Sequence, residues 1–250
     1  MEKAFTSPER ITLQYDLQLH GTERKPLFVC LLSQGQQQPH YAKEDALVFV
    51  RAPGVRLADM DVCRAVAALL DFICENEPID DMRMYLAGVD EGADGVWAML
   101  SMYPRLFAAA VAAGGWGDPY AVRAVRVTPV WSFYRPEETP KTPAGGARGL
   151  ADGKLMALSL RGQGHTQVRC TAWTEGNPHT SIEVRAWLLS QDRRKQLEIN
   201  CIRPGLWHIE DYFRASCYLV EGKEKAILID TGMGEVDLPA VIERLTRLPV

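Results

Sequence analysis

The sequence predicts an α/β protein: a doubly wound, mostly parallel sheet, then a smaller β-rich segment. Three observations carry this. Residues 26–32 (PLFVCLL), 46–51 (ALVFVR) and 107–113 (FAAAVAA) are almost wholly apolar, without the alternation of a sheet wetted on one face, so each reads as a strand covered on both sides. Stretches with apolar residues every three to four positions lie between and after them, as the crossover helices of a parallel sheet require. Past the charged run Gln191, Asp192, Arg193, Arg194 and Lys195 the pattern changes to short β-rich runs, which divides the chain into residues 1–194 and 195–250.

Residues 11–19 alternate weakly and read as an edge strand, with a turn at 21–26. Strand 26–32 leads into the polar loop SQGQQQPH at 33–40, and strand 46–51 comes next. Residues 59–74 place Val62, Val66, Leu69, Leu70 and Ile73 on one helical face. Asp59 offers an N-cap oxygen and Asn76-Glu77-Pro78 a stop. A short apolar run at 84–87 halts at Gly88, and a helical pattern through Val96, Met99, Leu100 and Tyr103 comes after it. Strand 107–113 is broken by Gly114-Gly115-Trp116-Gly117, and strand 129–134 precedes a loop rich in Pro, Gly and Thr at 136–149. Helix 150–160, strand 167–173 and helix 180–189 complete the first part, the last with Ile182, Val184, Trp187 and Leu188 inward. In the second part 205–209, 215–221 and 225–231 read as strands and 238–245 as a helix. The last two strands form a hairpin with an apolar face made by Tyr218, Val220, Ile227 and Ile229 or by their alternates.

The apolar fraction of 47% and charged fraction of 24% are those of a globular chain able to bury a large core. A net charge of −4 with no basic stripe argues against a nucleic-acid partner. No run approaches a membrane span, and the start MEKAFTSPER lacks the apolar stretch of a signal peptide. The six cysteines, Cys30, Cys63, Cys74, Cys170, Cys201 and Cys217, are scattered mostly through apolar runs without a C-x-x-C pair. They read as reduced, buried thiols of a cytoplasmic protein.

Function turns on Gly88-Val89-Asp90-Glu91-Gly92. A strand, a turn bracketed by glycines and a helix is the setting in which G-x-S-x-G forms a nucleophile elbow, the strained turn that lifts a serine above a parallel sheet. Here Asp90 takes the place of the serine.

Together with the stretches IDDMRMYLAG (79–88), WAMLSMYPRLFAAAV (97–111), PVWSF (129–133) and AWLLSQDR (186–193), that turn makes residues 10–192 resemble the α/β-hydrolase fold, within it the esterase and polyhydroxybutyrate-depolymerase-like group. The resemblance implies acyl transfer by Ser, His and Asp, and it places Asp90 at the nucleophile, His179 at the histidine and Glu138 nearest the acid. Tyr134 and Arg135 replace the His-Gly pair that comes after the strand at 129–133, and Leu32-Ser33-Gln34-Gly35 replaces the H-G-G-type oxyanion loop. The second donor of that hole would be the N–H of Glu91.

The tail from residue 202 resembles the first strands of a metallo-β-lactamase-fold hydrolase, through GLWHI (205–209), SCYLVEG (216–222) and AILIDTGMG (226–234), with Gly232 and Gly234 as its turn. In that family the zinc signature H-x-H-x-D-H would come after Val250. No metal or cofactor set is therefore expected in this chain, and zinc is expected in the complete second domain.

Asp90 admits two readings. In the first the elbow is a remnant, His179 is an exposed loop histidine left from a triad, and the first part is an inactive scaffold or binding module, a pseudoenzyme joined to a zinc-dependent hydrolase. In the second Asp90 is a live nucleophile with His179 as base, as in haloalkane dehalogenases and epoxide hydrolases. Ser33 or Ser181 as a substitute nucleophile is a third, minor reading. The neighbouring acid Glu91 weighs against the second, because adjacent carboxylates repel an anion. A small-molecule substrate and a homo-oligomer fit either; nucleic acid and membrane fit neither.

Overall fold

The computed structural model describes residues 2–41, 45–136, 149–233 and 235–250. The chain forms two compact units, one through Gln191 and one from Asp192 to Val250. Glu138 and the loop around it, and Gly234, lie outside the described residues.

The first unit runs β1 (Lys3–Thr6), β2 (Thr12–Gln18), β3 (Lys25–Leu31), β4 (Ala46–Arg51), α1 (Met60–Asn76), β5 (Ile79–Val89), α2 (Glu91–Met102), β6 (Ala109–Ala113), β7 (Trp116–Gly117), β8 (Val130–Tyr134), β9 (Ala151–Asp152), α3 (Gly153–Gly162), β10 (Val168–Ala172) and α4 (Ile182–Leu189). Eight of these strands make one sheet in the order β1-β2-β4-β3-β5-β6-β8-β10. From β4 to β10 every pairing is parallel, and β1 and β2 are added antiparallel. The weak alternation at 11–19 does mark a strand, but β2 is not the edge: β1 pairs beside it, and the alternate residues Leu13 and Tyr15 are buried in the core on one face.

Alternate residues of the continuous apolar runs feed two cores on opposite faces of the sheet, the period of two that a strand imposes. Leu27, Val29 and Leu31 of β3 and Met84 and Leu86 of β5 join one core, with Val62, Val66, Leu69 and Ile73 of α1. Phe28 and Cys30 of β3 and Tyr85, Ala87 and Val89 of β5 join the other, with Val184 and Leu188 of α4. Ile182 does not turn inward as its spacing suggests; it is 90% exposed. It occupies the first turn of a short helix, beyond the reach of the sheet's apolar face. Asp59 sits at the N-cap of α1 without a side-chain bond, whereas Asp152 and Ser181 cap α3 and α4 by accepting from Leu155 N–H and Val184 N–H.

The second unit is a four-stranded antiparallel sheet of β11 (Leu197–Arg203), β12 (Leu206–Asp211), β13 (Ser216–Glu221) and β14 (Ala226–Ile229), with α5 (Leu238–Leu245) after it. β11 is not legible in the sequence, because its charged and polar residues hide its alternation. The buried face of the hairpin is the alternate one: Cys217, Leu219 and Ala226 join Ile209, Leu238 and Ile242 in a third core, while Tyr218, Ile227 and Ile229 are exposed. Of the six free cysteines Cys30, Cys63 and Cys217 are buried as expected, but Cys74 and Cys170 are half-buried and Cys201 is exposed. Among the described residues no helix is long and apolar enough to cross a membrane.

Candidate active site

The ends of β5, β6, β8 and β10 are in register, so the segments leaving these strands converge on one rim. Asp90 N–H donates to Ala113 C=O at 2.9 Å, Gly114 N–H to Phe133 C=O at 2.8 Å, and Trp173 N–H to Tyr134 C=O at 2.8 Å. Asp90 begins α2 with φ 53° and ψ −115°, a positive-φ conformation that costs about 1–3 kcal/mol in a residue other than glycine. The elbow expected from the sequence is therefore formed and strained.

Two glycines make the turn fit. A Cβ on Gly88 would lie 2.3 Å from Gly92 C=O, and one on Gly92 would lie 2.3 Å from Leu31 C=O. No side chain fits there, and the absence of one lets α2 start directly against β3 and β5.

The side chain of Asp90 meets a guanidinium. Arg135 Nη1 donates to Asp90 Oδ1 at 2.8 Å, and Nη2 donates to Oδ2 at 3.4 Å. The guanidinium lies 4.3 Å over the ring of Trp173, which fixes its plane. At 56% side-chain exposure for Asp90 and 29% for Arg135 the pair adds little stability, but it engages both carboxylate oxygens.

His179 is not an exposed loop histidine. It lies in a short 3-10 turn, Pro178–Thr180, and is wholly buried. Its Nε2 is 3.7 Å from Cys30 Sγ on β3, its ring packs 5.8 Å from that of Tyr41, and its Nδ1 has no hydrogen-bond partner among the described residues. No hydrogen bond joins it to Asp90. Burial pushes the imidazole down to about 4 and the Cys30 thiol up to about 12, so both are neutral at pH 7. The structure thus puts Asp90 at the rim and His179 in the core beneath the sheet.

The oxyanion side is also altered. Ser33 N–H and Ser33 Oγ both donate to Gln36 Oε1 at 3.1 Å, so a side-chain amide already fills the acceptor position. Ser181 is committed to its cap on α4. Deeper along α2, Asp94 accepts from Trp116 N–H. Burial raises its carboxyl to about 6 against the opposing effect of that bond.

Among the described residues no group of three or more His, Cys, Asp or Glu side chains could hold a metal ion. In the sequence Arg135 marks only a missing His-Gly pair; its role needs the register that sets it beside Trp173. Cys30 and Tyr41 carry no signal of their own, lying among apolar and loop residues far from His179 in the chain.

No protein-family model matches the sequence, and no curated protein is similar to it. Solved structures are. A thermostable esterase superimposes with a TM-score of 0.61 at 21% identity, over 77% of this chain and 63% of its own. The acylaminoacyl peptidase of Pyrococcus horikoshii gives 0.53 at 12%, over 74% of this chain and 38% of its own. A fluorophosphonate-binding serine hydrolase of Staphylococcus aureus, FphF, gives 0.52 at 9%, over 76% of this chain and 95% of its own. This chain spans less than two thirds of the esterase and well under half of the peptidase. At such identities the likeness concerns the fold, and the sheet order, the parallel core and the elbow agree with it: the larger unit has the α/β-hydrolase fold.

Proposed function

We propose that the first unit is a hydrolase-fold module that no longer performs acyl transfer and serves as a scaffold or binding module. It would act beside a zinc-dependent, metallo-β-lactamase-fold hydrolase to which residues 192–250 contribute the opening strands. The observation that carries this reading is the engagement of both Asp90 oxygens by Arg135. A carboxylate attacks through a lone pair, and a guanidinium bonded to both oxygens lowers the nucleophilicity of each. Nor is a good base at hand among the described residues, since His179 sets its Nε2 against Cys30 and burial lowers its pKa to about 4, which leaves it a poor proton acceptor. For the second unit the support is the motif sequence of its hairpin and the antiparallel meander it forms with α5 behind it. The chemistry of such a hydrolase belongs to zinc held by a signature these 250 residues do not contain.

One observation favours a second reading, a hydrolase with Asp90 as nucleophile: the residue is held in a strained elbow with a half-exposed carboxylate. The two are separated by assay of p-nitrophenyl acetate and of an alkyl halide or epoxide with the wild-type chain, Asp90→Asn and Asp90→Ser. We expect no turnover above buffer from any of the three: an ester formed on Asp90 would need a base to activate the water that hydrolyses it, and a serine placed there without its base loses on the order of 10⁶ in rate. Turnover by the wild type that disappears in Asp90→Asn would establish the live nucleophile instead.

A further inference from the structure

We propose that the cleft at the carboxyl ends of β3 and β4 binds a small zwitterion, a free amino acid or a short unblocked peptide, with Arg56 on its carboxylate and Glu91 on its ammonium group. The proposal rests on the reading of the first unit as a binding module and supplies the ligand class. The cleft encloses about 250 Å³ between the loop after β3, the loop after β4 and the first residue of α2. β3 and β5 are neighbours in the sheet; the chain leaves β3 toward β4 on one side and β5 toward β6 on the other, and the crevice lies at that switch. Open α/β sheets take ligands at such a point.

Its walls carry one guanidinium and one carboxylate that do not pair. Arg56 and Glu91 both line the cleft, and neither side chain has a hydrogen-bond or ion-pair partner among the described residues. Both act on the same half-buried group, Asp94, Arg56 lowering and Glu91 raising its affinity for a proton. Two opposite charges that line one cleft without pairing complement a ligand that also carries two. A simple anion would meet repulsion from Glu91, and a simple cation from Arg56. The buried side chains of Leu32 and Leu57 give the cleft an apolar part, and its volume suits a ligand of amino-acid to dipeptide size.

The test is calorimetric titration of the whole 250-residue chain with L-alanine, L-alanyl-L-alanine, N-acetyl-L-alanine and L-alaninamide. The unblocked forms should bind saturably, and the two forms lacking one charge should each bind at least about tenfold more weakly, the loss expected for one charge-assisted contact. Glu91→Gln should abolish the preference for alanine over N-acetylalanine and keep that over alaninamide; Arg56→Gln should do the reverse. Both positions are exposed, and a thermal melt of each variant confirms its fold. The proposal is overturned by absence of saturable binding at millimolar ligand, by equal binding of blocked and unblocked forms, or by variants that keep both preferences. Ester turnover that depends on Asp90 would overturn the non-catalytic reading and leave zwitterion binding standing. Loss of binding without turnover would overturn the ligand class alone.

Discussion

At the residue scale, a buried histidine and a half-buried aspartate give opposite pH signatures. The folded-state pKa of His179 is lowered from 6.5 to about 4 by burial. Between those values the unfolded ring takes a proton that the folded ring refuses, so stability is full above pH 6.5 and falls as the pH drops toward 4, by on the order of 3 kcal/mol for this group. In His179→Leu that loss should shrink, seen as a flatter dependence of the urea midpoint on pH from about 7 to 4.5; equal slopes in the two proteins would contradict the buried neutral imidazole. Asp94 behaves in the other sense. Its carboxyl is raised from 3.8 to about 6, so the folded chain keeps a proton that the unfolded chain releases, and stability falls as the pH rises through that window. Asp94→Asn keeps an oxygen for Trp116 N–H and never ionises. It should exceed the wild type in stability above about pH 6 by about 1–2 kcal/mol, a figure discounted for partial exposure, and match it near about pH 3.5.

At the scale of the element, the junction of β5 and α2 depends on two missing side chains. Gly88→Ala and Gly92→Ala would each press a methyl group to 2.3 Å from a backbone carbonyl. Backbone cannot swing aside as a flexible side chain can, so the helix must shift off the sheet, at a cost of about 3 kcal/mol. Gly162→Ala at the end of α3 meets nothing within 4 Å and should be neutral or slightly stabilising, as alanine favours helix. Denaturant melts of the three variants check this; a loss in Gly92→Ala no larger than in Gly162→Ala would mean that the elbow is not packed as described.

For the whole molecule, the contrast is between the two units taken separately. The first has a sheet of eight strands with a core on each face, and Met84–Ala87 lie in β5, at its centre. The second has four strands and one core, and β14 is an edge strand with Ile227 and Ile229 exposed. Short edge strands open at lower free energy than central ones. Hydrogen exchange should therefore find the amides of 226–229 markedly faster than those of 84–87. Equal protection of the two sets in a dilute monomer would show that the tail is no less stable than the central sheet.

By itself the sequence determined the fold of the first unit and the place of the elbow. Local signals suffice there: doubly buried parallel strands are apolar throughout, helices repeat at about 3.6 residues, and the glycines at 88 and 92 announce a close approach. It also marked the change of texture near residue 191. It could not determine the chemistry of the rim. The pairing of Asp90 with Arg135 spans 45 residues and that of His179 with Cys30 spans 149, and neither leaves a periodic trace. A histidine after Asn177-Pro178 in a polar loop looks exposed in sequence; only the packing of the 3-10 turn onto the second core buries it. Likewise both faces of the 216–229 hairpin are apolar, and the choice between them fell to α5, which packs on Cys217, Leu219 and Ala226. Periodicity shows which residues share a face; which face is covered depends on what the rest of the chain lays against it.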